Sequence, residues 1–231
     1  MRLGRPARKQ LAELIAGATS LQGDFFRSVA FRYFHPDDVI SGEGTRLHGG
    51  RFVPVGVRAV YASLEEETAL REVTSRKSAL GGRSGISVGE YPRMTYVLSV
   101  ATQRNLDLAA TLPSELANLV RLCLRGPGYD VSQQLAEIWI SEGIDSVVFP
   151  SATGAGRNVA VYLANAAADS VLVRNRAEVL AVLRQPRVGK RCRQHFVLVC
   201  RSAPGLTFCA KTRMWSRVKT AHPIAHPRAY F

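Results

Sequence analysis

Apolar positions fall into two rhythms along the chain. One has the three-to-four spacing of helices, and the other consists of short runs rich in Val, Phe and Tyr. The first predicts a helix over 7–17, with Leu11, Leu14 and Ile15 on one face and Gly17 as its stop. It predicts a second over 64–77, with Ala69, Leu70 and Val73 as the buried stripe. A third begins after Pro113, with Leu116, Leu119, Val120 and Leu124 inward, and a fourth runs from Asp130 to Gly143 around Val131, Leu135, Ile138 and Trp139. Ser63 reads as the N-cap of the second helix, with Glu66 completing a capping box, and Asp130 as the cap of the fourth. The strand rhythm covers 25–34, 59–62, 94–102, 145–149, 159–163 and 195–200, with a strand-like run and a helix in 171–183. Strands and helices mix without strict alternation. That predicts an α+β fold with a central, mainly antiparallel sheet and flanking helices.

The loops carry the chemistry. Residues 41–51 read as a loop with glycines at 42, 44, 49 and 50, ending at Arg51. Glycine lets a backbone approach a ligand closely, and a guanidinium suits a phosphate or carboxylate. Tyr61 follows on a strand and Glu72 on a helix. Glu72 lies about 60° from Ala69 on the helical wheel, so it borders the buried stripe. An anion-binding arginine, a tyrosine and a core-edge glutamate suit a phosphate-bearing ligand with an aromatic ring and a bond to be broken beside a sugar. The same residues also have plain structural readings, as turns, a core tyrosine and a solvated glutamate. Arg27 shares a strand face with Val29 and Phe31 in apolar surroundings, and there it needs a partner or a ligand. Ser132 falls in a first helical turn, where a capping role or an anion contact is open to it. Ser151 opens a second small-residue loop that runs to Asn158.

Composition narrows the classes. At 231 residues, 46% hydrophobic and 21% charged, the chain is of ordinary globular make-up. It has no apolar run long enough for a transmembrane helix and no convincing signal peptide. Net charge is +13, but eleven Lys or Arg lie between Arg184 and Phe231, a stretch with no Asp or Glu. The body is therefore close to balanced, which weakens any basic groove for nucleic acid there. Four cysteines lack C-x-x-C spacing and read as free thiols of a reducing cytoplasm.

The spaced residues resemble those of the RES domain, a family of bacterial toxins partnered with Xre-type antitoxins. The match is carried by Phe26-Arg27, Ser41-Gly42-Glu43-Gly44, Gly49-Gly50-Arg51-Phe52, Pro54, Tyr61 and Ala69-Leu70-Arg71-Glu72. Ser132-Gln133, Pro150-Ser151-Ala152 and Asn158 extend it, so that it covers roughly 20–170. One position departs: Val53 stands where the family usually has Asn.

The resemblance implies a fold similar to ADP-ribosyltransferases and activity on NAD. Residues 1–20 would be an N-terminal helical extension, 21–183 the NAD-binding domain and 184–231 a basic extension. Glu72 would stabilise the oxocarbenium-like ribose, and Tyr61 would stack on nicotinamide. Arg27 and Arg51 would hold phosphates, with Arg32 and Tyr33 as rivals for the first-strand role. Ser132 would line the pocket, with Ser151 as second candidate for the family serine. The implied reaction is cleavage of the nicotinamide–ribose bond, with inorganic phosphate as the expected acceptor and no metal. A mono-ADP-ribosyltransferase with a protein target is the enzymatic alternative. A basic nucleic-acid-binding protein and an inactive antitoxin-binding module are the others. An Xre-family antitoxin would be the partner.

Overall fold

In this computed structural model, residues 4–30, 35–73, 93–126, 128–154 and 156–174 are described, together with 176, 177, 180 and 207–208. The elements in chain order are α1 (Arg5–Ala16), β1 (Thr19–Ala30), α2 (Pro36–Ile40), α3 (Glu43–His48) and β2 (Ala59–Ser63). After them come α4 (66–73), β3 (Arg93–Asp107), α5 (Ser114–Arg125), α6 (Asp130–Ser141), β4 (Ser146–Pro150), β5 (Arg157–Tyr162), β6 (Val171–Val173) and β7 (Thr207–Phe208).

The strands form one sheet in the order β1-β2-β5-β4-β3-β6, with β7 also on β3. β1 additionally pairs with β3, from Thr19 opposite Asn105 to Ala30 opposite Arg93, so five strands close into a ring. The seam between β1 and β2 is a single register pair, Phe26 opposite Ser63. The β3–β4 pairing is parallel and the others are antiparallel. The expected α+β class with a mainly antiparallel sheet is therefore present.

Alternation along the strands divides the interior in two. Ala160 and Tyr162 of β5 join Phe52, Val53, Leu135 and Trp139 in one cluster. Val159 and Val161 join Phe25, Tyr96 and Leu98 in the other. Strands buried on both faces explain the unbroken apolar runs Val147-Val148-Phe149 and Val159 to Tyr162. α1 packs through Leu11 and Ile15, and its Gln10 Oε1 accepts from the Leu116 amide at 3.1 Å, which ties it to the start of α5.

Several expectations change. The first strand begins at Thr19, earlier than the apolar run suggests, because β3 is long enough to pair with it. The strand expected over 94–102 runs on to Asp107, past Asn105 and Leu106. This extension is held by parallel pairing to Ser146–Val148. The glycine loop contains α3, with Gly42 before it at φ 65° and Gly49 after it at φ 66°. Glu43 pairs with Arg46 at 2.5 Å and with Arg58 at 3.3 Å, while Thr45 Oγ1 bonds the Ala59 backbone, so tertiary partners stabilise a turn too short to form alone.

Two caps also differ. Ser63 ends β2, and its hydroxyl donates to Asn158 in place of capping a helix that begins at 66. The N-cap of α6 is Tyr129, so Asp130 is its first helical residue. The expected strand at 195–200 lies outside the described residues. Among the described residues no helix is long and apolar enough to cross a membrane.

Cys123 is buried in α5 and has no sulfur partner among the described residues. Burial pushes its thiol up to about 11 from 9.0. The folded state keeps the proton longer than the unfolded chain, so this contribution is complete below the ordinary thiol range and is lost as pH rises through about 11. A Cys123→Ala variant should show a shallower loss of stability between about pH 9 and 11 in denaturant titrations, by on the order of 2 kcal/mol. Equal slopes would contradict the assignment.

Candidate active site

The segment 49–53 is fixed by contacts from distant parts of the chain. Gly50 and Val53 pair with each other, Gly50 N donating to Val53 O at 2.7 Å. Gln133 Nε2 of α6 donates to both carbonyls, at 2.9 Å to Gly50 and 3.2 Å to Val53. Tyr162 Oη donates to the Phe52 carbonyl at 2.8 Å and accepts from Trp139 Nε1 at 2.9 Å. The Phe52 ring is fully buried between Trp139 and Phe149. Val53 is also fully buried, so the side chain standing where an Asn is usual belongs to the core, and hydrogen bonds from elsewhere hold the loop. Gln133→Ala removes two of these bonds. It should cost about 1–3 kcal/mol in chemical denaturation. A loss under about 0.5 kcal/mol would mean that the backbone pair alone holds the loop.

Tyr61 stands beside this loop. Its hydroxyl accepts from the Phe52 amide at 3.2 Å, and its ring meets Phe149 edge-on at 6.2 Å. Gly50 lies so close that a Cβ there would sit 2.5 Å from Tyr61 Oη. Only glycine leaves room for the ring at that point.

Arg51 leaves the loop in another direction. Its guanidinium donates to the Cys123 carbonyl in the last turn of α5 and lies 5.1 Å from the centroid of the Tyr129 ring. A guanidinium has five N–H donors, so a tethered Arg51 keeps donors for an anion.

Glu72 is held by two donors from distant parts of the chain. Its Oε1 accepts from Ser151 Oγ and from Asn158 Nδ2, each at 2.7 Å. Ser63 Oγ donates to Asn158 Oδ1 at 2.7 Å. Thr153 supports Ser151 through its hydroxyl at 2.7 Å and its amide at 3.1 Å. The structure thus joins Glu72 and Ser151, which are 79 positions apart. Tyr61 sits two positions before Ser63 on the same strand face, about 7 Å away.

Arg27 lies on the β1 face of Phe25 and Val29, in the second cluster, whereas the Tyr61 ring packs against the first. Its Nη1 reaches the Tyr61 carbonyl at 2.5 Å and so bridges the one-pair seam between β1 and β2. Its Nε has no hydrogen-bond partner among the described residues. Burial pulls the guanidinium down to about 10, which leaves it cationic at neutral pH. Ser132 is buried and donates back to the Tyr129 carbonyl at 2.9 Å, the behaviour of a serine that closes its own helical turn. Arg32 and Tyr33 lie outside the described residues.

The model of the RES domain matches residues 25–183. The chain belongs to the RES domain family. Every candidate named from the sequence lies within the RES match. No curated protein matches the chain. Among solved structures, the crystal structure of the M. tuberculosis MbcT–MbcA toxin–antitoxin complex is similar, with a TM-score of 0.58 and 21% identity over 73% of this chain and 91% of that one. That similarity is one of fold. The RES fold here places Glu72, Ser151 and Asn158 together. It gives Gln133 a role that no local pattern announces, because its partners lie 80 and 83 positions away.

Proposed function

We propose that this chain is the toxin of a toxin–antitoxin pair, and that it depletes NAD by breaking the nicotinamide–ribose bond with inorganic phosphate as acceptor. The observation that carries the proposal is the Glu72 carboxylate held by Ser151 and Asn158 at the end of the β2–β5 ladder, on the strand face that also carries Tyr61. Breaking that bond leaves the bonding electron pair on the nicotinamide nitrogen and positive charge on the ribose. A carboxylate fixed in advance stabilises such charge without reorganising. A phosphate oxygen then bonds to the anomeric carbon, giving nicotinamide and an ADP-ribose phosphate. Tyr61 offers a ring face to nicotinamide. Arg51 neutralises the phosphates and fixes their position, and Arg32 takes the first-strand role, since Arg27 faces the other cluster. Ser151 takes the role of the family serine in this reading, because its hydroxyl contacts the carboxylate.

Membership of the RES family supports action on NAD. The similar fold of MbcT, seen in a toxin–antitoxin complex, supports an antitoxin partner, here of Xre type. An inhibitor covering the Glu72 site would keep such an enzyme silent until released.

The test is a time course of NAD with purified protein, with and without phosphate, products resolved by chromatography. Phosphate-dependent loss with nicotinamide and an ADP-ribose phosphate as products is the expected result. Labelled ADP-ribose on protein, with only slow bulk loss, would establish a mono-ADP-ribosyltransferase instead. No loss and no labelling would leave an antitoxin-binding module without activity.

A further inference from the structure

We infer that Asn158 is a positioning residue for Glu72, and that Ser63 completes a relay of donors running toward that carboxylate. The inference deepens the proposed function, since it rests on Glu72 being the charge that faces the ribose.

Ser63 and Asn158 are register partners at the end of the β2–β5 ladder, so their side chains emerge side by side on one face. Ser63 Oγ donates to Asn158 Oδ1, and Asn158 Nδ2 donates to Glu72 Oε1, both at 2.7 Å. Ser63 and Asn158 are only 4% and 6% exposed, so water cannot readily take over either bond. A carboxylate only accepts hydrogen bonds, and an amide has one donor end and one acceptor end. With its NH2 group committed to Glu72, the Asn158 carbonyl must find a buried donor, and the Ser63 hydroxyl is that donor. Every hydrogen in the chain of bonds therefore points toward Glu72. Ser151 adds a second donor to the same oxygen. The two bonds on Oε1 fix the carboxylate against rotation, although the helix that carries it is separate from both strands.

The turn leading into α4 meets the same strand end, with Leu64 N donating to the Arg157 carbonyl at 2.9 Å and Glu65 Oε2 accepting from the Arg157 amide at 3.1 Å. A carboxylate at the end of a three-bond side chain would sample several rotamers without the relay. A misplacement near 1 Å is enough to cost on the order of 10²-fold in rate.

Five variants test this by NAD turnover. Asn158→Ala should lower kcat by on the order of 10- to 100-fold with KM changed by less than about threefold, since orientation and not affinity is lost. Ser63→Ala should lower kcat by a smaller factor, while Ser63→Thr, which keeps the donor, should stay near wild type. The Ser63→Ala/Asn158→Ala pair should be no worse than Asn158→Ala alone, because Ser63 acts through Asn158. Asn158→Asp should be the most damaging and should move the acid limb of the kcat profile to higher pH, since two carboxylates would face each other. Additive losses, or an Asn158→Asp profile superimposable on that of Asn158→Ala, would overturn the inference. If Asn158→Ala fails to fold, the contrast between Ser63→Ala and Ser63→Thr decides.

A second readout does not need turnover. The Glu72 carboxyl carbon, followed by NMR, should titrate at higher pH in Asn158→Asp than in Asn158→Ala. A wild-type protein that leaves NAD untouched would sink the functional reading, while the NMR comparison would still decide whether Asn158 controls Glu72.

Discussion

Glu72→Gln should lower NAD turnover by on the order of 10³-fold, equivalent to about 4 kcal/mol of transition-state stabilisation, and should relieve growth arrest on expression. The substitution is chosen because it leaves the hydrogen bonding intact. The new side-chain oxygen can still accept from Ser151 Oγ and Asn158 Nδ2, the two donors that converge on Oε1. Side-chain volume and the packing of α4 change little. Loss of activity with an unchanged melting temperature would therefore report the missing charge. Nicotinamide departs with its bonding pair, so the ribose becomes more positive as the bond lengthens. A neutral amide in the same place lacks the attraction that grows along that coordinate. KM should change much less than kcat, since the substrate ribose is not yet cationic when it binds. A Glu72→Gln protein as toxic as wild type would remove Glu72 from the reaction.

Gly156→Ala should have the largest effect on stability, with a loss of about 3 kcal/mol or more. Two penalties combine at this position. Its φ is +77°, where an L side chain is strained. A Cβ there would also stand 1.9 Å from Thr68 Oγ1 and 2.6 Å from Glu65 Oε2. Thr68 is buried, so it has little room to yield. The neighbouring Gly154 separates the two penalties. It has φ +90° but nothing within 4 Å of its missing Cβ. Gly154→Ala should therefore cost only the backbone strain, about 1 kcal/mol.

The excess at Gly156 has a functional consequence. Its carbonyl accepts from the Ser151 amide at 3.0 Å, so a loop pushed away from α4 carries Ser151 with it. Thermal melts and NAD turnover should fall together in Gly156→Ala and hold in Gly154→Ala. Equal melting temperatures for the two variants would mean that the contact with α4 is looser than the structure has it.

Local patterns were legible where the physics is local. The apolar stripes of α1, α5 and α6 gave their positions to within a few residues, because helical spacing and a glycine stop act over one or two turns. The runs at 59–62 and 145–149 became β2 and β4 because β-branched and aromatic residues suit strands buried on both faces. Legibility failed where a side chain had two uses. Ser63 has the residue type and spacing of a cap, but its hydroxyl meets Asn158, a partner 95 positions away. The glycines at 42, 44, 49 and 50 announced a loop, yet Thr45 bonding to Ala59 and Glu43 pairing with Arg58 hold a helix inside it.

The sequence by itself determined the α+β class, the family through a spaced set of glycines, arginine, tyrosine and glutamate, and Glu72 as a carboxylate at the edge of a core. These depend on spacing within one helix or one strand, or on motifs carried in order along the chain. Only the tertiary structure decided what surrounds Glu72. Ser151, Asn158 and Ser63 reach it because β2 and β5 are antiparallel neighbours and the 151–156 loop folds onto α4. Sequence spacing holds no record of such contacts, because they join residues whose separation along the chain is set by unrelated loops. Strand pairing brings them together, and the burial that follows makes each hydrogen bond obligatory.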